Sequence, residues 1–494
     1  MSHVRTVCIV GAGFSGTMLA AQLLRTGPED ALRIVLVNRP AASRHQGRGS
    51  GRETGALARG LAYGTDSPDH LLNVPAARMS AWPTEADDFV RFLRAQGPAF
   101  THADDSHLDA RFVPRHWYGR YLRHVLESTR AAYPRVALDV RFGNVVDLRP
   151  SQPLPQLDSK LIDVLFDDGQ TLRADAVALA VGNFAPAHPA TLPARIIDHP
   201  RYVRDPWDND ALARTDLGQP VLLLGTGLTM YDVVLSLSRR LAAANTAASK
   251  PLQLLAISRR GLLPQPHRIH TATPHFDEIR QLGTPSARGY LHALRARIAA
   301  AAAAGLDWRD VLAALRPATP MLWHALPDVE RARFLRHLKP YWESHRHRAA
   351  PEIAQTIEAA RQSGTLSIER ASLVNVSSST DASALIVGTR ARGTTQITER
   401  RFGTLINCTG PSARLDAEPL LATLAQRGVI AADAMQLGLV VSDDYRPAPT
   451  MASLFYVGPL LRARHWEATA VPELRDHVAR CAREILDTVA SRTA

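Results

Sequence analysis

The residues VCIVGAGFSGTMLAAQLL, Val7 to Leu24, decide the fold. Val7 to Val10 is a short apolar run that reads as a buried strand. Gly11-Ala12-Gly13-Phe14-Ser15-Gly16 follows at once, and Met18 to Leu24 continues as an apolar helix. Ile34 to Val37 makes a second buried strand, which completes β–turn–α–β, the first unit of a doubly wound sheet. A lone GxGxxG is a weak signal, but this one lies between a strand and a helix. Gly11 permits the tight turn, Gly13 lets backbone approach a pyrophosphate, and Gly16 lets helix and strand pack closely. Phe14 and Ser15 open the helix, whose free N–H groups and dipole favour an anion.

The acidic residue expected at the end of the second strand is missing. Asn38 stands there, followed by Arg39. An amide oxygen accepts a ribose hydroxyl more weakly than a carboxylate does. This leaves a rival open, in which Arg39 reads a 2′-phosphate and the first site holds NADP.

A second unit begins at Val221-Leu-Leu-Leu-Gly225-Thr226-Gly227-Leu228-Thr229-Met230. Met230 replaces the third glycine, so helix and strand are expected slightly farther apart. Leu252 to Ile257 is the next strand, and Ser258-Arg259-Arg260-Gly261 ends it. Arginines at that strand tip suit a 2′-phosphate and favour NADPH over NADH. Two solvated arginines at a strand end would look the same. Two such units in one chain are far more specific than either alone.

Composition agrees with a globular enzyme-sized chain. At 494 residues, two or three domains are expected. Apolar residues at 46% and charged residues at 21% exclude a disordered or fibrous chain. The net charge is +11, yet only Lys160, Lys250 and Lys339 are lysines, and the arginines are spread along the chain. A nucleic-acid reader would cluster them among aromatics, so no nucleic-acid partner is expected. No apolar run reaches the ~18 residues of a membrane span. Cys8, Cys408 and Cys481 are far apart and form no CxxC, so neither a disulfide framework nor a zinc ribbon is supported. No metal site is expected. The first residues lack a signal-peptide layout, and a cytoplasmic location is expected.

Residues 41–58 are rich in Gly, Ser and Arg and read as a loop. Helices are expected from Thr84, with Glu85, Asp87 and Asp88 in the first turn, and over His116 to Ala132. Short alternating stretches at 136–142, 145–149, 161–166 and 171–181, with Asp168-Gly169 as a hairpin turn, suggest a β-meander. Residues 205–220 read as a connection. Residues 276–363 are helical by pattern, broken at Pro317, Pro320, Pro340 and Pro351. Strands return over 366–407 and at Leu454 to Val457, and a last helix runs from Pro472 to about Val489.

With these pieces in place the chain resembles the two-dinucleotide-binding-domain flavoproteins. More narrowly, it is similar to the bacterial FAD/NAD(P)-binding family related to class B and N-hydroxylating flavin monooxygenases. The resemblance rests on Gly11 to Gly16, Gly60 to Thr65, His70 to Pro75, Met79-Ser80 and Phe112 to Arg115 with Tyr118-Gly119. It continues through Gly225 to Asp232, Ser258 to Leu262, His337 to Arg348 and Trp466 to Arg475. It implies an α/β fold of two Rossmann-like domains plus a helical subdomain. The FAD domain is expected at 1–215 and 395–494, with an NAD(P) domain inserted at 216–394. Gly182 and Gly410 end the strands where the chain would cross between them.

The resemblance also implies that His70 to Ser80, with Leu72, Asn73 and Val74, lies against the flavin. Asn73 is a weak catalytic candidate as a donor, and a structural turn explains it equally well. Gly458-Pro459 ends a strand, and Thr469-Ala470-Val471 leads into the last helix, with Pro472 suited to its first position. A helix N-terminus aimed at the flavin would favour the anionic reduced form; docking for packing alone is the alternative. His337, Trp342, His345, Arg346, His347 and Arg348 are either a polar helix face or site residues. No HExxH or GxSxG appears, and Cys408 reads as a buried thiol.

The expected activity is therefore that of a flavoenzyme. NADPH would reduce FAD, O₂ would add at flavin C4a, and the hydroperoxide would oxygenate a small amine or amino-acid-like substrate. A dehydrogenase or oxidase reduced by its own substrate, and a non-catalytic flavin sensor, remain as alternatives. The expected partners are the substrate and O₂, with no membrane, and a homo-oligomer is left open.

Overall fold

The computed structural model describes residues 4–40, 57–97, 100, 105–151, 161–243, 251–268 and 281–491. All but the last two residues of the expected loop at 41–58, and the first residues of the helical stretch, 276–280, lie outside the described residues. The chain forms two units. One takes residues 1–66, 74–184 and 413–494, and the other takes 67–73 and 185–412.

In the first unit Val7, Cys8 and Ile9 are fully buried, as a strand covered on both faces must be. Arg5–Val10 is the middle of five parallel strands, in the order Leu454–Tyr456, Ala176–Leu179, Arg5–Val10, Leu32–Asn38, Ala137–Phe142. The helix Phe14–Thr26 packs against Arg115–Ala132 and Val471–Ala490. The expected meander is smaller than its four stretches. Ala137–Phe142 instead extends the parallel sheet beside Leu32–Asn38, because its register brings Leu138 opposite Ile34. Only Val145–Pro150, Ile162–Phe166 and Thr171–Ala174 form the antiparallel sheet, turned at Gly169 with φ +81°. The helix expected from Thr84 begins later, at Asp88. Arg91 gathers Glu85, Asp87 and Asp88 at 3.0, 2.7 and 2.9 Å, so Glu85 and Asp87 hold this arginine from ahead of the helix and Asp88 from its first turn.

The last helix buries a titratable group. His477 is 5% exposed, and its Nδ1 meets the Tyr445 hydroxyl at 3.0 Å and Arg480 Nη2 at 2.9 Å. Burial, aided by His465 and Arg480, pushes its pKa down to about 3. The unfolded chain takes up this proton near pH 6.5, whereas the folded chain refuses it until about pH 3. Stability is therefore whole above that window and falls as pH drops through it, by at most about 1.4 kcal/mol per pH unit. Thermal midpoints measured from pH 7 to pH 4 should fall more steeply for the wild type than for His477→Gln. Parallel slopes would refute this.

The second unit holds a seven-stranded sheet in the order Ile397–Phe402, Leu385–Ala391, Leu366–Ser378, Leu254–Ser258, Val221–Leu224, Thr404–Asn407, Tyr202–Val203. The last five are parallel, and the first two join antiparallel. Tyr202–Val203 pair with Leu405–Ile406, which is why 185–215 and 395–412 belong here. The division thus falls at Phe184/Ala185 and Ser412/Ala413, whereas the sequence pointed to 215/216 and 394/395. Residues 205–220 contain one short helix, Asn209–Ala213, capped by the Asp208 side chain.

Helices Ala287–Ala303, Trp308–Leu315, Thr319–Ala325, Asp328–His337, Lys339–Arg346 and Pro351–Gln362 make the helical part. Pro320, Pro340 and Pro351 sit in first turns, where no N–H is needed. Leu282, Ala301, Val311 and Leu315 form its own small core. Among the described residues no helix is long and apolar enough to cross a membrane, and no cluster suits a metal ion.

Candidate functional site

In the first unit the site builds from the carboxyl ends of the parallel strands. Gly11 has φ +109°, and a Cβ there would lie 2.8 Å from the Ala180 carbonyl oxygen on the neighbouring strand. A Cβ on Gly16 would lie 1.8 Å from the Gly11 oxygen, so the helix seats directly on the turn. Gly13 ends the loop with no side-chain cap over the helix Phe14–Thr26, leaving the first turn's N–H groups for an anion. Phe14 and Ser15 are both buried in that turn. On the next strands, a Cβ on Gly182 would strike Pro459 Cδ at 2.5 Å. The Tyr456 hydroxyl donates to the Val181 oxygen and accepts from Leu460 N–H, both at 2.9 Å, which fixes Gly458-Pro459 beside Gly182. Gly11, Asn38, Gly182 and Gly458 thus lie along one edge of one sheet.

Among the described residues, several buried polar atoms of this unit have no hydrogen-bond partner, and two of them bear on the site. One is Asn38 Nδ2, on a residue only 3% exposed. It is a donor, so it suits a ribose hydroxyl oxygen or an adenine ring nitrogen. The other is the hydroxyl of Tyr118, which is fully buried among Phe14, Tyr63 and Phe89. Burial raises its phenol well above the usual range, so it stays a neutral donor. Both are donors open to an acceptor of a bound group, and the glycine turn on the sheet edge that Asn38 shares fits a dinucleotide. An unsatisfied buried hydroxyl costs about 1–3 kcal/mol. Tyr118→Phe is therefore expected to leave the flavin-free protein as stable or more so, while shrinking the stabilisation that added FAD gives. Thermal midpoints with and without FAD test this; equal losses in both would contradict it.

Arg39 is not free for a phosphate. Its guanidinium pairs with the carboxylate of Glu418, a residue 7% exposed at the cap of the helix Pro419–Gln426. That carboxylate both neutralises Arg39 and repels a 2′-phosphate, so the geometry disfavours NADP at the first loop. Glu418 lies 380 positions from Asn38 in a different segment; its one sequence signal is Glu-Pro at a helix start.

The second unit repeats the arrangement. Gly225 has φ +108°, and a Cβ there would lie 2.5 Å from the Cys408 oxygen on the neighbouring strand. Gly227 is exposed, and a Cβ there would meet nothing within 4 Å. Thr229 stands half-buried in the first turn of Leu228–Ala243, and Met230 is fully buried in the core below. Arg259 is exposed with no ion pair or hydrogen bond among the described residues. Arg260 differs: it donates to the Tyr341 hydroxyl at 3.2 Å and the Arg336 oxygen at 3.3 Å, and its guanidinium lies 4.9 Å from the Tyr341 ring centroid. The two arginines read as one pair in the sequence have different surroundings.

Leu72 and Asn73 belong to the second unit and Val74 to the first. His70 is the reason for the former. Its Nε2 lies 2.9 Å from Ser236 Oγ and 3.2 Å from the Asp232 oxygen, and Asp69 pairs with Arg239 at 2.7 Å. The Asn73 backbone oxygen meets His267 Nε2 at 3.0 Å, while its half-buried amide side chain makes no hydrogen bond among the described residues. The last helix starts at Val471 after Ala470, with no side-chain cap, so Pro472 occupies its second rather than first position. Neither needs an N–H. Thr469 and Ala470 are half-buried just before it. His345 is tied to its own helix through the Tyr341 oxygen at 2.9 Å and lies edge-on to Trp308 at 5.1 Å. All three cysteines are buried thiols; burial pushes Cys8 up to about 12 and raises Cys408 and Cys481 further, which removes them as nucleophiles.

Residues 8–184 match the model of a family described as FAD-NAD(P)-binding. Uncharacterised proteins of Mycobacterium tuberculosis and Mycobacterium bovis are 25% identical over 280 residues, 54% of this chain. The chain spans about half, 51%, of the length of these curated relatives. Among solved structures, the ornithine hydroxylase of Pseudomonas aeruginosa superposes with a TM-score of 0.63 at 16% identity, over 98% of this chain and 100% of that one. The L-lysine 6-monooxygenase of Pseudomonas syringae gives 0.63 at 17%, and the ornithine N-hydroxylase of Kutzneria sp. 744 gives 0.60 at 17%; each covers 99% of this chain and 100% of the other. The chain shares its fold with these structures.

Proposed function

We propose that the chain is an FAD-dependent, NADPH-reduced monooxygenase that places one oxygen atom on the nitrogen of a small amine or amino-acid-like substrate. The observation that carries this reading is the unlike charge at two like sites. Both units present a glycine turn at a strand end, but the arginine after the first is cancelled by Glu418 while Arg259 after the second is not. A non-phosphorylated ribose suits the first, and a 2′-phosphate suits the second. FAD and NADPH are the pair with those chemistries. The amine class is supported by similar structures whose substrates are ornithine and lysine.

Bound FAD, reduced by NADPH, would supply the electrons and the oxygen activation. The chain's own work is to hold and orient. Gly13 and the uncapped first turn of Phe14–Thr26 would bind the pyrophosphate, Asn38 the adenosine end, and Tyr118 a buried acceptor of the cofactor. Gly227 leaves the second loop open to backbone contact, and Arg259 would take the 2′-phosphate. The N-terminus of Val471–Ala490, left without a side-chain cap, would favour negative charge on the cofactor held before it. The half-buried Asn73 amide is the donor available to orient substrate or cofactor. The balance is R–NH₂ + O₂ + NADPH + H⁺ giving R–NHOH + NADP⁺ + H₂O.

Anaerobic mixing of the purified flavoprotein with NADPH, followed by oxygen and a panel of amines and amino acids, tests this. The expected result is fast flavin bleaching by NADPH and hydroxylamine product with one or more amines. Bleaching by substrate alone would make it a dehydrogenase or oxidase. Slow reduction with no substrate-stimulated NADPH consumption would make it a flavin sensor.

A further inference from the structure

The turn Ser258-Arg259-Arg260-Gly261 is held by its own Ser258 hydroxyl and by that of Thr226 in the glycine loop. Thr226 Oγ1 donates to the Leu262 oxygen at 2.6 Å, so its partner Ser258 Oγ, 2.9 Å away, must donate to it. Ser258 Oγ in turn accepts from Gly261 N–H at 2.9 Å. No hydroxyl of this turn is left to read a ligand, and Arg260 is engaged by Tyr341 and Arg336. The neighbouring strand supplies another cation. Leu254–Ser258 pairs in parallel with Leu366–Ser378, and Ser258 stands opposite Arg370. Gly261, at φ +60°, has no room for a Cβ because it would lie 2.7 Å from Arg370 Cγ. The Arg370 stem therefore packs on the turn itself.

The Arg370 side chain is exposed, with no hydrogen bond or ion pair among the described residues. The acidic residue beside it, Glu369, is spent on Arg400 through two contacts of 2.7 Å. Ser258, the residue before Arg259, thus stands about one strand spacing, roughly 4.8 Å, from Arg370, which brings Arg259 and Arg370 to the same carboxyl end of Leu254–Ser258. Like charges so placed repel unless an anion is bound.

Resting on the reading that the second loop takes NADPH, we infer that Arg370 is a specificity-determining residue that reads the 2′-phosphate together with Arg259. Arg260 is instead a strut that ties the turn to the helix Lys339–Arg346. A phosphate with two guanidinium partners is held at two oxygens and in one orientation.

NADP⁺ and NAD⁺ are titrated into the flavin-loaded protein, as wild type and as Arg259→Ala, Arg260→Ala, Arg370→Ala and Arg370→Lys, with flavin content and circular dichroism confirming that each variant is folded. Arg370→Ala is expected to weaken NADP⁺ by roughly tenfold to a hundredfold while leaving NAD⁺ within about twofold. Arg370→Lys should recover part of the loss, and Arg260→Ala should weaken both nucleotides alike. If Arg259→Ala is selective and Arg370→Ala is not, the role of Arg370 is refuted and the NADPH reading stands. If the wild type binds both nucleotides equally and Arg259→Ala changes neither, the NADPH reading falls and this inference falls with it.

Discussion

Gly16→Ala should abolish flavin binding, and Gly13→Ala should weaken it strongly for a different reason. At Gly16 the added methyl would sit 1.8 Å from the Gly11 oxygen, a separation no relaxation of a side chain can relieve. The helix Phe14–Thr26 would have to lift off the turn, tilting the N–H groups that make the anion site. Overpacking of this kind costs about 1–3 kcal/mol or more, so stability falls together with FAD affinity. At Gly13 the new methyl meets only Gly60 Cα at 3.7 Å, an ordinary contact, and φ −82° suits alanine. That variant should keep its thermal midpoint without flavin yet lose FAD affinity by roughly a hundredfold, about 2.7 kcal/mol, because the methyl occupies the ground where the pyrophosphate approaches. Flavin absorbance after purification, with the flavin-free midpoint, separates the two cases. A yellow Gly13→Ala protein with unchanged FAD affinity would place the cofactor elsewhere.

At the second loop the expected result is the opposite pairing of colour and reactivity. Gly227→Ala adds a methyl that meets nothing within 4 Å, so the protein should fold and carry its flavin as the wild type does. Its NADPH affinity should drop by roughly tenfold to a hundredfold, read as a higher NADPH concentration for half-maximal flavin reduction. Gly225→Ala, with φ +108° and only 2.5 Å to the Cys408 oxygen, should instead damage the second unit itself. Unchanged reduction of Gly227→Ala by NADPH would remove this loop from the electron path.

Much of the fold is legible because each chemical requirement is local. A strand, a turn and a helix within twenty residues leave a pattern that chain order preserves, and both glycine loops stand where that pattern puts them. The less legible parts are those decided by distant pairing. Ala137–Phe142 alternates like a meander strand, yet its partner is Leu32–Asn38, and the meander keeps only three of its four stretches. The unit boundary depends on two residues, Tyr202 and Val203, pairing with a strand two hundred positions later. The candidate site divides in the same way. Gly11, Gly16 and Gly225 announce themselves by spacing, whereas Glu418 and Arg370 become visible only through what they touch. Asn38 and Arg39 look like a departure from the dinucleotide pattern, and the carboxylate that comes near them, Glu418 of the return segment, pairs with Arg39.

The order of the strands in the chain also sets an order of manufacture. The parallel core of the second unit is assembled from residues 202–407, all of which leave the ribosome before Ala413 does. The first sheet, though it starts at Arg5, lacks an edge strand until Leu454–Tyr456 emerges, and its covering helix until Val471–Ala490 follows. Domains fold as units when their last element is available. The unit begun first is therefore finished last, and during synthesis Ala176–Leu179 waits with one edge unpaired while the intervening unit closes. A ribosome stalled just short of Leu454 would have released the second unit while the first sheet stays open, and premature termination there would leave the first unit without its edge strand and last helix while sparing the other.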